Sequence, residues 1–265
     1  MGQLTPLSQP ARINQNVYEA IENAIVRGEL TPESEIGDRR LADMLQVSRT
    51  PVRDALHQLE AAGLVVRRGG VRWAVADFNE RDVRERYEVR RLLEPMGLRR
   101  LAESWEPTLV DELAEMFSDF PGELRREDYD RYLVVDNRFH KTIINCTGNR
   151  QIIGFYAQLE RHIDRVRYYL APKYTGWMEG VADDHRRICA AIADRDLEKA
   201  TEELLRHLQH GEERMIAFWK RKADGARPDS EGPEGFRLGD SLGPAAGGNQ
   251  ADRKGETGRP ARAGP

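Results

Sequence analysis

Apolar residues recur along the first quarter of the chain at the spacing of helix faces and predict three helices. The first helix runs from Asn14 to Arg27 and ends at Gly28, and the second is a short one over Asp38–Leu45. The third begins after Ser48, a natural N-cap, and ends at Gly63. The two later helices are separated by a turn of only a few residues.

Two short runs with β-strand patterning follow these helices. Leu64–Arg67 and Val71–Val75 flank the pair Gly69-Gly70, and such a glycine pair favours a hairpin turn. Three helices followed by a hairpin are the layout of a winged helix-turn-helix. The sequence therefore predicts this fold for residues 13–78, preceded by a flexible arm over residues 1–12.

From Asn79 onward the pattern is helical throughout. Asn79 is suited to cap a helix of about 25 residues, and the other helices are predicted near 108–118, 127–146, 149–170, 177–194 and 197–220. Six helices with short connections favour an antiparallel bundle. The predicted fold class is mainly α, with a winged helix-turn-helix that carries a small β-hairpin wing and a C-terminal antiparallel bundle over residues 79–222.

The composition indicates a disordered C-terminal tail and a reducing compartment. Residues 223–265 hold ten of the 23 glycines, five of the 13 prolines and one aromatic residue, so we expect a disordered tail. Two cysteines without a CxxC motif indicate a reducing compartment. Because no apolar run is long enough to span a bilayer and no secretory signal is evident, the expected location is cytoplasmic, without membrane contact.

Arginines on the third helix predict contact with DNA. Arg49, Arg53 and His57 share one face, and an exposed helix N-terminus that carries arginine suits the major groove. Residues 1–78 carry nine arginines against ten acidic residues, so the prediction rests on position and not on charge. The predicted DNA contacts are Arg39, Arg40, Ser48, Arg49, Thr50, Arg53, His57, Gly69 and Gly70.

Four ionisable residues lie on the apolar stripes of three predicted helices: Asp136, His140, His185 and His207. Ionisable groups inside a bundle are costly unless they are paired or bind a metal. Three imidazoles and one carboxylate suit zinc, nickel, manganese or iron. The alternative is a set of hydrogen-bonded polar groups in the core. His210 falls on the polar face of the last helix and is not included.

Arg90 and Glu94 also fall on an apolar stripe, that of the first bundle helix. An inward arginine can pair with Glu94, or it can bind the carboxylate of an effector with two hydrogen bonds. The sequence leaves both roles open.

Residues 13–75 resemble the N-terminal domain of the GntR family of bacterial transcription regulators. The matching string is Ile25-x-x-Gly-Glu-Leu-x-Pro32, Leu41-Ala-x-x-Leu-x-Val-Ser-Arg-Thr-Pro-Val-Arg-Asp-Ala-Leu56 and Leu59-Glu-x-x-Gly-Leu-Val65. The resemblance implies DNA binding by this domain. The wing departs from the family pattern because it is short and lacks the usual arginine-glycine tip followed by an aromatic residue.

Residues 80–220 are similar to the all-helical ligand-binding domain, of FCD type, in the FadR branch of this family. The motifs are Tyr87-Glu-Val-Arg-x-x-x-Glu94, Asp136-x-x-Phe-His140, Thr147-Gly-Asn149, Asp184-His-x-x-Ile-x-x-Ala-Ile192 and Ala200-x₆-His207. The resemblance implies that Asp136, His140, His185 and His207 hold a divalent metal, zinc first among the candidates, beside a cavity for a small organic acid. Asp184 stands where glutamate is common.

These features predict a homodimeric transcription regulator, more often a repressor in this family, that binds a pseudo-palindromic operator under the control of a small carboxylate effector. A metal-dependent enzyme acting on a small molecule is the second hypothesis, although no further acidic residue stands out as a general base. A third is a regulator in which the metal is purely structural.

Overall fold

The computed structural model describes residues 11–120, 124–170 and 180–223. All of them belong to one compact unit, Met1–Glu234, whereas the second unit, Gly235–Pro265, lies outside the described residues. The predicted arm and tail also lie outside them, apart from the residues next to the helices. There, Ala11 and Arg12 are helical rather than part of the arm, since alanine and arginine both have high helix propensity, and Ala223 ends the last helix.

The N-terminal part contains three helices and a three-stranded antiparallel sheet. Ser48 occupies the N-cap position of the third helix as predicted, although its side chain makes no capping hydrogen bond. The elements are α1 (Ala11–Val26), β1 (Glu35–Ile36), α2 (Asp38–Leu45), α3 (Arg49–Ala61), β2 (Val65–Arg68) and β3 (Arg72–Val75).

The sheet has the order β1-β3-β2, and β1 was not predicted. Its two residues, Glu35 and Ile36, pair with Ala74 and Trp73, and a strand this short leaves no alternation to detect in the sequence. In the hairpin between β2 and β3, Gly69 and Gly70 have φ values of 59° and 75°, which explains why glycine occupies both positions.

The C-terminal part is the predicted helical bundle, and the mainly α fold class is confirmed. Asn79 caps its first helix through a reciprocal capping box with Asp82. Of the predicted helix 177–194, the first three residues lie outside the described residues. The helices are α4 (Glu80–Ser104), α5 (Pro107–Glu115), α6 (Tyr129–Asn145), α7 (Arg150–Leu170), α8 (Val181–Ala193) and α9 (Leu197–Ala223), with a short 3-10 helix over Arg126–Asp128.

The described residues form two hydrophobic cores. One extends from Val17 to Val75 and is built around α1 and α3, and the other extends from Phe78 to Ile216 and fills the helical bundle. In residues 11–120, 124–170 and 180–223, no helix is long and apolar enough to cross a lipid bilayer.

Two glycines allow α4 to lie close to its neighbours. A Cβ atom at Gly97 would stand 2.2 Å from the carbonyl oxygen of Ile143 on α6, and one at Gly211 on α9 would stand 2.8 Å from the Tyr87 hydroxyl. Because α4 contacts both helices at these points, its polar residues reach the interior of the bundle between α6 and α9.

Candidate metal centre

The four predicted ligand residues come together in the bundle. Asp136 and His140 lie one turn apart on α6, His185 lies on α8 and His207 on α9. One ligand atom from each residue lies within 4.8 Å of the others. All four side chains are buried, the most exposed being His207 at 4%. Residues from three helices thus present one carboxylate and three imidazoles to the same small volume.

Hydrogen bonds on the outer side of two imidazoles determine which ring nitrogen faces this volume. Nδ1 of His140 donates to Oε2 of Glu94 at 2.8 Å, and Nδ1 of His185 donates to the carbonyl oxygen of Val181 at 2.9 Å. A carboxylate and a carbonyl oxygen only accept, so both protons are on Nδ1. The hydroxyl of Tyr132 lies 2.7 Å from the same Nδ1 of His185.

In the neutral form of each ring, the inward Nε2 atom therefore presents a lone pair to the other. Nε2 of His140 and Nε2 of His185 are 3.4 Å apart, and Nε2 of His185 is 3.3 Å from Oδ1 of Asp136. Burial lowers the pKa of His185 to about 3, which keeps this imidazole neutral. Lone pairs at this separation repel unless a cation lies between them, so the donor set fits a divalent metal.

Glu94 is the centre of a buried hydrogen-bond network behind His140. Its Oε1 accepts from Nε of Arg90 and from the hydroxyl of Tyr156, each at 2.6 Å. Burial acts to raise the pKa of Glu94, but Arg90 and His140 outweigh it and lower the pKa to about 2. The carboxylate is therefore ionised and can hold the imidazole in the orientation that directs Nε2 inward.

Arg90 accordingly adopts the first of its two predicted roles, the ion pair with Glu94. Its side chain is 2% exposed and stands 5.1 Å from the Tyr87 ring. It does not line the cavity next to the four ligand residues. Binding of an effector carboxylate by Arg90 stays a prediction.

The other two ligand residues are held from α7 and α8. Arg167 on α7 forms an ion pair with Oδ2 of Asp136. Burial opposes ionisation of Asp136, but the charge of Arg167 outweighs it and lowers the pKa of the carboxyl. Nδ1 of His207 lies 3.9 Å from Oδ2 of Asp184 and has no hydrogen-bond partner among the described residues.

A narrow cavity of about 30 Å³ adjoins two of the four ligand residues, Asp136 and His207, with room for little more than a water molecule. Two arginines and two tyrosines contribute to its wall beside Asp136 and His207. Its lining residues are Tyr87, Tyr132, Leu133, Asp136, Arg167, Val181, His207, Gly211, Arg214 and Met215.

The predicted DNA contacts are exposed at one end of the N-terminal part. Arg49 and Arg53 project from α3, and both pair with Asp38 on α2. His57 stacks edge-on against Trp73 and contacts Arg67, so it packs against the wing in addition to lying on the arginine face. The remaining predicted contacts, Arg39, Arg40, Ser48, Thr50, Gly69 and Gly70, are all exposed.

Sequence reasoning missed the contribution of α7. Arg167 and Tyr156 lie beside the apolar stripe of this helix, on the side that faces α4 and α6. A signal existed in the sequence, because both residues follow helical spacing from Ile163, at four and seven residues. His162, beside the same stripe, instead donates from Nε2 to the carbonyl oxygen of Ala62 at 2.9 Å.

Two family models match the chain. The one described as "Bacterial regulatory proteins, gntR family" matches residues 13–75, and the one described as "FCD domain" matches residues 85–210. The first covers the part that contains α2, α3 and the hairpin, and the second covers the part that contains the four buried ligand residues.

Curated relatives agree with these matches. An HTH-type transcriptional regulator of Agrobacterium vitis is 31% identical over 49% of this chain and 78% of its own length. The gluconate operon transcriptional repressor of Bacillus licheniformis is 27% identical over 65% and 73%. The solved structure of E. coli McbR/YncC superposes with a TM-score of 0.66, covering 78% of this chain and 98% of that one; at 19% identity it shows the fold alone.

The matched families and relatives are DNA-binding transcription regulators and not enzymes. The hypothesis of a metal-dependent enzyme is therefore set aside. With both domains of the architecture matched in the expected order, the chain belongs to the GntR family of bacterial transcription regulators and carries an FCD domain C-terminal to its DNA-binding domain.

Proposed function

We propose that this regulator is a repressor of the FadR branch whose operator affinity is controlled by a small organic acid bound next to a divalent metal. Asp136, His140, His185 and His207 would hold the ion. The observation that carries the proposal is the convergence of four buried ligand atoms within 4.8 Å of one another, with the two inward Nε2 atoms 3.4 Å apart. When bound, the ion would supply a positive charge for the carboxylate of the acid.

Zinc is our first candidate for the metal because of the family resemblance. The donor set itself suits all four candidates, since imidazole binds zinc, nickel and iron and the carboxylate also suits manganese. The active form would be a homodimer, in which two copies of α3 contact the half-sites of a pseudo-palindromic operator. A relative that is a gluconate operon repressor supports repression over activation.

Arg214 is the cation best placed to receive the acid. Arg167 also lines the cavity, but it is already paired with Asp136. Arg214 on α9 lies 3.5 Å from Asp184, a looser contact that a carboxylate in the cavity can replace. Because the cavity is too small for an organic acid in this state, entry of the acid requires displacement of lining side chains on α4, α6, α7, α8 or α9.

Helix α7 offers a physical connection from this site to the DNA-binding domain. Arg167 contacts Asp136 on one side of the helix. On the other side, Nε of Arg161 pairs with Glu22 on α1 at 3.2 Å, and His162 donates to the carbonyl oxygen of the residue that follows α3. We propose that a shift of α7 upon acid binding moves α1 and α3, which changes the affinity for the operator.

A test of the metal site that leaves all four ligands in place is Glu94→Gln. The amide is nearly isosteric but cannot stabilise the Nδ1 proton of His140 with a negative charge. We expect zinc affinity, measured by competition with a fluorescent chelator, to fall roughly 10- to 100-fold. The exposed Glu88→Gln on the same helix is the matched control and should bind zinc as wild type does. Unchanged affinity in Glu94→Gln would rule out the orienting role of Glu94.

A thermal-shift screen of small carboxylates on the zinc-loaded protein tests the effector proposal. The panel includes mono-, di- and tricarboxylates together with gluconate. At least one acid should raise the melting temperature of wild type by several degrees, because a ligand that binds the folded state stabilises it. Arg214→Gln should abolish that shift while retaining zinc.

The exposed Arg150→Gln on α7 changes the charge equally and should keep the shift. If no acid in the panel stabilises the zinc-loaded protein, the result favours the third hypothesis, a regulator in which the metal is purely structural.

A further inference from the structure

The carboxylate of Asp38 pairs with both arginines, Arg49 and Arg53, of α3, which is the predicted recognition helix. Asp38 is the first residue of α2, and its side chain lies against the N-terminal half of α3. Nη2 of Arg49 is 2.9 Å from Oδ2 and 3.1 Å from Oδ1 of Asp38, and Nε of Arg53 is 3.2 Å from the same Oδ2. The Asp38 side chain is 18% exposed, against 57% and 62% for Arg49 and Arg53.

This bridge does little for the stability of the domain. Ion pairs whose arginine is largely exposed gain little energy in water, and the core of the domain packs without these three residues. What the bridge changes is the freedom of two long side chains, since an unrestrained arginine samples many rotamers and loses that entropy when it binds.

The contacts with Asp38 leave suitable donors on each guanidinium. Arginine has five N–H donors. Asp38 pairs with Nε of Arg53, so both Nη groups of this arginine stay available. These two groups can contact O6 and N7 of guanine together. Asp38 also places a negative charge at the surface that is predicted to contact DNA. This charge repels the DNA phosphates, so it disfavours complexes in which no base contact compensates for the repulsion.

We propose that Asp38 is a specificity-determining residue that orients Arg49 and Arg53 for base contacts and penalises binding to non-operator DNA. The inference rests on the proposed DNA contacts of these two arginines. It assigns to Asp38 an effect on discrimination between sequences that exceeds its effect on overall affinity.

The test compares Asp38→Asn with wild type in the full-length protein. A duplex selected by wild type from a random library serves as the operator, and a scrambled duplex of equal length serves as non-operator DNA. Dissociation constants for both are measured by fluorescence anisotropy at about 150 mM salt. In Asp38→Asn the ratio of the two constants should fall at least about fivefold, with non-operator binding unchanged or tighter.

Asp43→Asn is the matched control, because it removes the same charge from an exposed position on α2 and should leave the ratio unchanged. A second readout is ¹⁵N relaxation of the arginine Nε–Hε groups in the free protein, where Asp38→Asn should make Arg53 more mobile. This measurement reports on positioning even if the variant binds DNA poorly for another reason.

An unchanged ratio in Asp38→Asn, which includes an equal loss for both duplexes, would overturn the inference, and so would an Arg53 side chain as ordered as in wild type. These outcomes leave the proposed function intact as long as wild type selects a defined sequence. If wild type selects no sequence at all, the proposed function and this inference fail together.

Discussion

Replacement of both His140 and His185 by alanine should remove the metal from the protein. We expect wild type, purified and dialysed against metal-free buffer, to retain about one divalent ion per chain, and the double variant to retain none. The reason is that the variant keeps only Asp136 and His207, and two ligands do not hold a divalent ion against dialysis. Inductively coupled plasma mass spectrometry on both proteins gives the stoichiometry and the identity of the ion.

The same variant should lose the stabilisation that the metal confers. An ion at about 100 times its dissociation constant adds about 2.7 kcal/mol to the free energy of unfolding. Zinc should therefore raise the melting temperature of wild type and not that of the variant. His210→Ala is the control, because His210 is half-exposed and outside the four-ligand cluster, and it should retain the ion. Equal metal content in the double variant and in wild type would mean that the cluster is a hydrogen-bonded polar core.

Replacement of Arg49 or Arg53 by alanine should remove specific DNA binding while the domain stays folded. A bidentate contact with a base is worth about 1–3 kcal/mol, so each variant should lose roughly 5- to 150-fold in affinity for the selected operator. Because both side chains are mostly exposed, we expect circular dichroism spectra and melting temperatures close to those of wild type. Gel-shift titrations with the operator and the scrambled duplex measure the loss.

Arg27→Ala is the control for the loss of one positive charge, since this exposed arginine follows α1 and is not one of the predicted DNA contacts. It should bind the operator nearly as wild type does. Operator affinity retained in both recognition-helix variants would show that α3 does not contact the bases. The salt dependence of binding adds a second criterion. Replacement of a residue that contacts only phosphate lowers the slope of log affinity against log salt concentration without changing sequence preference.

The DNA-binding domain was predictable because its signals are local. Caps, helix stops and a glycine pair fall within a few residues of the elements that they delimit, so the order of helices and hairpin follows from the sequence. Strand β1 was not predicted, for the opposite reason: Glu35 and Ile36 form a strand only because they pair with Ala74 and Trp73. Pairing between positions so far apart leaves no trace in local periodicity.

The same distinction applies to the metal site. Each of the four ligand residues stands out on its own helix, since an ionisable group on an apolar stripe is visible without knowledge of the neighbours. Their surroundings were not predictable in this way. The contact between Glu94 and His140 joins positions 46 residues apart, and the contact between Arg167 and Asp136 joins α7 to α6. Arg167 follows helical spacing from Ile163, but its pairing with Asp136 depends on the packing of α7 against α6.

The most direct test of the whole account is the operator affinity of the zinc-loaded protein with and without the acid found by the thermal-shift screen. Fluorescence anisotropy at constant salt gives both dissociation constants. The account predicts that a saturating concentration of the acid weakens operator binding roughly 5- to 150-fold in wild type. In Arg214→Gln the acid should have no effect. An unchanged operator affinity in wild type, with the acid bound as the melting temperature reports, would contradict the proposal that this site controls DNA binding.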